Sequence, residues 1–328
     1  MTTKEINLPL RLTTVYPLNN LGERKKNRLE DFINDLLSIN NEVYLQLNIY
    51  GKIYLNFKFV KKVDFPEFGN KHELYLVIES TAEIDFHKIS EQIEFNSELD
   101  KQIKPEQLVL PYFRVLYNAQ LRHFLKFTQI SHPGTIWLGA GFVYLYDKLI
   151  DKVEGISSIL EENDFLKDAW PEKTTVKIIE VWNYILNKTT LLEKFSSTKI
   201  ERALCSFTYL FSDSYHSDIP VALFWAISGL EALFVEGDTG ITQQLNDKIP
   251  VFLGEIETDK KRLKKLYNFR SSLIHGGLSI PIKEAIINDE KHKEELYEMS
   301  TLSSFILVAS LQKIIKNDLK ELKFKYTF

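Results

Sequence analysis

The sequence predicts an α+β protein: a small mixed N-terminal part containing a β-hairpin, then a mainly α-helical chain ending in a helical bundle. Three observations predict it. Between Glu42 and Phe59 apolar residues alternate with period two, the pattern of half-buried strands. From about Lys199 onward they recur at helical spacing almost without interruption. Between these regions Asp64, Pro66, Glu67, Gly69 and Asn70 supply turn chemistry. A chain of 328 residues accommodates two domains. They are expected at 1–195, an α+β domain of unknown role, and 196–328, an all-α domain.

Each element has its own justification. After an extended opening with Pro9 and Pro17, Leu29, Phe32, Ile33, Leu36 and Leu37 fall at helical spacing within 22–39. Val43, Leu45, Leu47 and Ile49, then Ile53, Leu55, Phe57 and Phe59 after the Tyr50-Gly51-Lys52 break, predict a hairpin. Leu74 to Ser80 predicts a third strand, and Pro66 before it cannot donate to a ladder. Helical patterns follow from Pro111 to Phe127, from Ile136 to Ile150, and around Val176 to Leu186. The last third predicts helices at Lys199–Phe211, Asp218–Phe234 with Pro220 in its first turn, Ile241–Leu253, Asp259–His275, and from Pro281 to about Ile315.

Composition narrows the function classes. Hydrophobic residues make up 44% and charged residues 26%, which is globular rather than disordered or fibrous. The net charge of −4 follows from 41 basic and 45 acidic residues, so any nucleic-acid site is a local patch. One cysteine, Cys205, cannot form an internal disulfide, and the opening MTTKEINLPL lacks the apolar core of a signal peptide. A cytoplasmic location and no membrane partner are expected. The longest apolar stretch, Ile136 to Ile150, is interrupted by Asp147 and Lys148 and falls short of the ~20 residues that cross a bilayer. The glycines near Ser131 lack the GKS/T of a phosphate loop, and His123 and His132 lack companions at ligand spacing, so no metal and no cofactor are expected.

The chemistry concentrates in KKRLKKLYNFRSSLIHGG, Lys260 to Gly277. Wound as a helix, Leu263, Leu266, Tyr267, Leu273 and Ile274 form an apolar stripe with Arg270 inside it. Lys261, Lys264, Asn268, Ser271 and His275 lie along the polar side, Ser271 one turn behind His275. Asp259 or Thr258 is the expected N-cap, and Gly276 with Gly277 the left-handed C-terminal cap. His275 sits where the helix dipole favours an imidazolium. Upstream, Glu231 is the only charge between Asp218 and Glu236, so an ion pair with Arg270 is the structural expectation; a guanidinium aimed at phosphate is the functional one. Lys261, Lys264 and Lys265 are candidate RNA contacts, and charge runs on helices are also commonly plain solvated faces.

The spacing Arg270-x4-His275 before glycines, together with the upstream ALFWAISGLEALF of Ala222–Phe234 and the helix order from Lys199 to Ile315, resembles the R-x4-6-H signature of the HEPN superfamily, closest to its Apea-like branch. The resemblance covers a little over a third of the chain. Members commonly place Asn, Asp or His directly after the arginine; this chain has Ser271. The resemblance implies a HEPN-like bundle acting as a metal-independent endoribonuclease in bacterial antiphage defence, abortive infection or a toxin-like role. It implies catalytic Arg270 and His275, supported by Ser271, Glu231 and Asn268. Paired domains would form a homodimer through the C-terminal bundle, and the products would carry 2′,3′-cyclic phosphate and 5′-hydroxyl ends. The alternative is a non-catalytic HEPN-like module that binds RNA, nucleotide or protein.

Overall fold

The computed structural model describes residues 10–18, 26–47, 51–68, 72–84, 105–158, 160, 170–171, 174–212, 219–237, 239–254, 260–280 and 289–324, without the side chains of 26, 84, 105–110, 158, 212, 260 and 261. Its architecture is mixed α and β, as expected. The chain divides into two compact units, one of residues 1–126 with 136–156 and one of 127–135 with 157–328.

The first unit is built on a six-stranded antiparallel sheet. Its strands are β1 (Leu10–Leu18), β2 (Tyr44–Gln46), β3 (Gly51–Val60), β4 (Leu74–Ile84), β5 (Gly141–Leu145) and β6 (Lys148–Val153), in the order β2-β3-β4-β1-β5-β6. The expected hairpin is β2–β3, with Leu45 opposite Ile53. The opening segment is more than extended: β1 lies inside the sheet, pairing with β4 from Leu10↔Ala82 to Leu18↔Leu74 and with β5 at Thr14↔Val143.

One sheet face is lined by Leu12, Thr14, Leu55, Phe57, Leu76 and Ile78, all buried. Two helices cover it: α1 (Lys26–Ser38), which inserts Phe32 and Leu36, and α2 (Pro105–Ser131), which inserts Phe113, Tyr117 and Phe124. The Tyr117 hydroxyl is hydrogen-bonded to Thr14 at 2.7 Å and Ser80 at 3.0 Å, so three polar groups sit in that layer without loss. Where β2 ends, the Asn40 amide takes over the exposed edge of β3: its Oδ1 accepts from Phe57 N at 2.7 Å and its Nδ2 donates to Phe57 O at 3.2 Å. The opposite face carries Val15, Tyr75, Val77 and Tyr144 under Phe65 and Phe68.

Residues 136–150 are not a helix. They form β5, β6 and the approach to them, joined by a tight turn at Tyr146 (φ 47°) and Asp147 (φ 66°), both left-handed as a two-residue hairpin turn requires. Val143 and Tyr144 are both buried although they face opposite sides of the sheet. A strand covered on both faces loses the alternation that identifies it, and an unbroken apolar run then mimics a helix.

Among the described residues the second unit holds the end of α2, a short ladder of β7 (Ser157–Ser158) with β8 (Phe211–Ser212), and the helices α3 (Ile178–Lys188), α4 (Lys199–Thr208), α5 (Ile219–Phe234), α6 (Ile241–Leu253), α7 (Lys260–Ile274) and α8 (Glu290–Lys316). The division differs from the expected boundary at 195 by the segments 127–135 and 157–195, which join the second unit. Its α3 is tied to the C-terminal end, with Lys316 on Glu180, Lys188 on Asp318, and the Tyr184 hydroxyl donating to Leu319 O. The helix expected through Phe211 stops at Thr208, because Phe211 joins β8. The last helix starts at Glu290, capped by the Asp289 carboxylate accepting from His292 N at 3.1 Å; residues 281–288 of the expected span lie outside the described residues.

α8 is the axis of this unit. Every residue from Met299 to Gln312 is buried whatever its direction, so neighbours surround it. Ser300, Ser303, Ser304 and Ser310 keep its surface slim, and three of their hydroxyls are bonded to carbonyls of Ile219, Ser300 and Ile306. α5 approaches α8 at Gly229, where a Cβ would stand 2.9 Å from Leu307 Cδ2 and 3.1 Å from Ser206 Cβ, so a larger residue there would have to displace the Leu307 side chain and crowd Ser206. α4 runs antiparallel to α5, as Lys199 with Glu236, Ser206 beside Gly229, and Tyr209 stacked on Trp225 show in turn.

Candidate functional site

α7 is a lysine-rich helix without an acidic residue of its own. Leu263, Leu266 and Tyr267 bury it, Leu273 is half-buried, and Ile274, expected in the apolar stripe, is exposed. Its end follows the glycine signal. Gly276 takes φ 72°, Gly277 N donates to Ser272 O at 2.7 Å, and Leu278 N donates to the same carbonyl at 3.1 Å. That wrap satisfies the otherwise orphan Ser272 carbonyl of the last turn. The expected N-caps Thr258 and Asp259 lie outside the described residues.

Arg270 points inward to α5, where its Nε donates to Glu231 Oε1. The two side chains are 13% and 25% exposed, so the pair is partly buried rather than dry. One Nε–H is engaged; a guanidinium carries four further N–H donors. The expectation of an interhelical ion pair is met in geometry.

His275 is exposed at the other side of the helix end, its backbone N–H still bonded to Ser271 O at 3.0 Å. Five residues of α-helix separate Arg270 from His275 by ~7.5 Å along the axis and ~140° around it, so the two do not converge within one copy of α7. Instead Lys264, Asn268, Ser271 and His275 share one outward line, and all four are exposed. This is a polar ridge that starts with a cation and ends with an imidazole.

The candidate RNA lysines separate. Lys264 is exposed on the ridge. Lys265 is turned to α8, 2.8 Å from Glu295 and 3.4 Å from Glu298, and Glu298 also accepts from Arg262 at 3.3 Å. Two of the basic groups in the run thus hold α7 to α8. The side chain of Lys261 lies outside the described residues. Glu295 and Glu298 are the partners that reasoning on 260–277 alone passed over; their signal is an i, i+3 carboxylate pair on the following helix.

Burial leaves one further polar atom in this region. The Tyr267 hydroxyl is enclosed without a hydrogen-bond partner among the described residues, and burial alone pushes its pKa far up, so it is a neutral phenol. Among the described residues no group of three or more His, Cys, Asp or Glu could hold a metal ion, and no helix is long and apolar enough to cross a membrane. Cys205 is half-buried and its thiol is pushed up by burial, which keeps it a poor nucleophile.

The arrangement offers an exposed imidazole for proton transfer, a guanidinium steered by a carboxylate, and an exposed lysine on the ridge beside them. No family model matches the chain, and neither a curated protein nor a solved structure gives a significant match.

Proposed function

We propose that the chain is a metal-independent endoribonuclease whose working residues are His275 and Arg270. The supporting observation is the Glu231–Arg270 pair placed one and a half turns before an exposed terminal histidine on an acid-free helix. RNA carries its own nucleophile. The 2′-oxygen attacks the adjacent phosphorus, the P–O5′ bond breaks, the 2′-hydroxyl proton leaves to a base and a proton reaches the departing 5′-oxygen. An imidazole is suited to the proton transfers and a guanidinium to the charge that builds on the phosphorane. Because Arg270 and His275 diverge on one helix, a homodimer through the helical unit supplies the complementary group from a second copy.

A second reading has its own observation. Lys265 and Arg262 are neutralised by Glu295 and Glu298, which leaves a smaller cationic surface than the sequence offers and suits a non-catalytic module binding RNA, nucleotide or protein. Cleavage of RNA in EDTA separates the two. The nuclease reading expects cleavage with 2′,3′-cyclic phosphate ends, and His275→Ala slowing it ~10²- to 10⁴-fold with binding retained. Wild-type protein that cleaves no RNA, or His275→Ala at the wild-type rate, gives the site to the binding module.

A further inference from the structure

The outward line of α7 is narrow, and its two shoulders differ in chemistry. At ~3.6 residues per turn Lys264, Asn268, Ser271 and His275 fall within an arc of ~60°, with the first and last ~16 Å apart along the axis. All four are exposed. On the shoulder towards α8, Lys265 and Arg262 are held by Glu295 and Glu298 at 2.8–3.4 Å, so cations and carboxylates balance there. The opposite shoulder is apolar at its His275 end, where Ile274 is 46% exposed.

We infer that this ridge is a track for one extended RNA strand: the phosphate that is cleaved lies at His275, and a second phosphate, about two to three nucleotides along the strand, lies at Lys264. The inference deepens the nuclease reading and rests on it. The register comes from length, because ~16 Å of helix spans about two to three nucleotide repeats of an extended strand. Between the two ends Asn268 and Ser271 are neutral, and each can donate and accept, which suits the sugar hydroxyls and phosphate oxygens that pass over them.

The shoulders select a single strand over a duplex. Ile274 offers an apolar contact to a base face, which a single strand exposes and a duplex keeps stacked inside. A duplex also brings a second row of phosphates, and the shoulder where Glu295 and Glu298 balance Lys265 and Arg262 gives that row no net attraction. Lys264 stands apart from the reacting atoms, so it meets its phosphate equally in the ground state and the transition state. Its contribution therefore falls on KM rather than kcat. One phosphate contact on a single strand follows a salt slope of ~0.7, which is worth about 8-fold between 1 M and 0.05 M salt.

The test uses full-length protein in EDTA and synthetic single strands centred on a bond that wild type cuts in a long RNA. One phosphate at a time is made neutral as a 2′-deoxy methylphosphonate and compared with the 2′-deoxy change alone. Beyond the cleaved phosphate and its immediate neighbours, slowing is expected to peak at one position, about two to three phosphates away on one side only, by about 8-fold in kcat/KM at 0.05 M salt and through KM. In Lys264→Ala the peak is expected to vanish, and in Lys265→Ala to remain. Annealing the complementary strand is expected to protect the bond. Cleavage without such a peak, a peak that survives Lys264→Ala, a duplex cut at the single-strand rate, or a bond cut in the long RNA but not in its synthetic strand overturns the track and leaves the nuclease reading standing. Wild type that cuts no RNA overturns both.

Discussion

Glu201 gives the sharpest stability prediction, because its surroundings fix both the magnitude and the pH at which it acts. The residue is 3% exposed, and its carboxylate accepts five hydrogen bonds. Oε1 receives Thr190 N at 2.7 Å and Thr190 Oγ1 at 3.1 Å; Oε2 receives Ser197 N, Ser197 Oγ and Thr198 N, each at 2.9 Å. The Thr198 hydroxyl returns the favour by accepting from Glu201 N, closing a capping box at the start of α4. Burial by itself would raise this carboxyl. The backbone N–H groups of Thr190, Ser197 and Thr198 outweigh it and hold the group at about 2 against an ordinary 4.5. That gap corresponds to about 3 kcal/mol of stability, fully present above the unfolded value and lost as pH falls from ~5 towards ~2. Glu201→Gln presents an NH₂ to donors it cannot accept from, so it is expected to cost about 3 kcal/mol at pH 7. Denaturant titrations at pH 7, 5, 4 and 3 measure it, with more than half of the difference between wild type and variant expected to vanish by pH 3. A difference of the same size at pH 7 and pH 3 refutes the reasoning.

Two other outcomes follow from the site. Glu231→Ala leaves Arg270, 13% exposed, without its carboxylate; because the pair is only partly buried, a loss of about 1–3 kcal/mol is expected, below the ~3–5 of a dry pair, and a double-mutant cycle with Arg270→Met should show coupling. Additive single and double variants would mean that the contact contributes nothing. The lysines are expected to divide by position: Lys264→Ala weakens RNA affinity and flattens its salt dependence, whereas Lys265→Ala shifts stability by less than ~1 kcal/mol and leaves RNA affinity alone. Equal effects of the two on salt-dependent binding would contradict the assignment of Lys265 to α8.

What could be read from the chain depended on how many faces of each element are covered. The β2–β3 hairpin announced itself because Ile53, Leu55 and Phe57 are buried while Tyr54, Asn56 and Lys58 between them are not. β1, β5 and β6 did not. Val15 and Tyr16 are both buried on opposite faces of β1, so period two disappears there, and the nine-residue ladder to β4 joins segments some sixty residues apart, a pairing no local pattern encodes. The helix ends divided similarly. Gly276 marked a stop that any local reading finds, whereas α4 ended early because Phe211 is recruited by β7, a partner more than fifty residues upstream.

The site shows the same limit at the level of charge. Glu231 and Arg270 were legible as partners because each interrupts an apolar stripe, and an isolated charge there demands an opposite one. Lys261, Lys264 and Lys265 are three similar residues in one run, and composition could not tell them apart; the direction of α8 does, by bringing Glu295 and Glu298 to Lys265 and leaving Lys264 in the open. The outward face of α5 was hidden for the converse reason. ALFWAISGLEALF is apolar on nearly every side apart from Ser228 and Glu231, so the sequence does not say which side the fold covers. α4 and α8 account for the inner arc at Ser206, Gly229 and Leu307, whereas Phe224, 40% exposed, packs edge-on against Trp225 of its own helix at 5.3 Å. A helix that is apolar on nearly every side does not reveal from its sequence which of its faces the neighbours cover, and in this chain the more exposed face carries the carboxylate that steers Arg270.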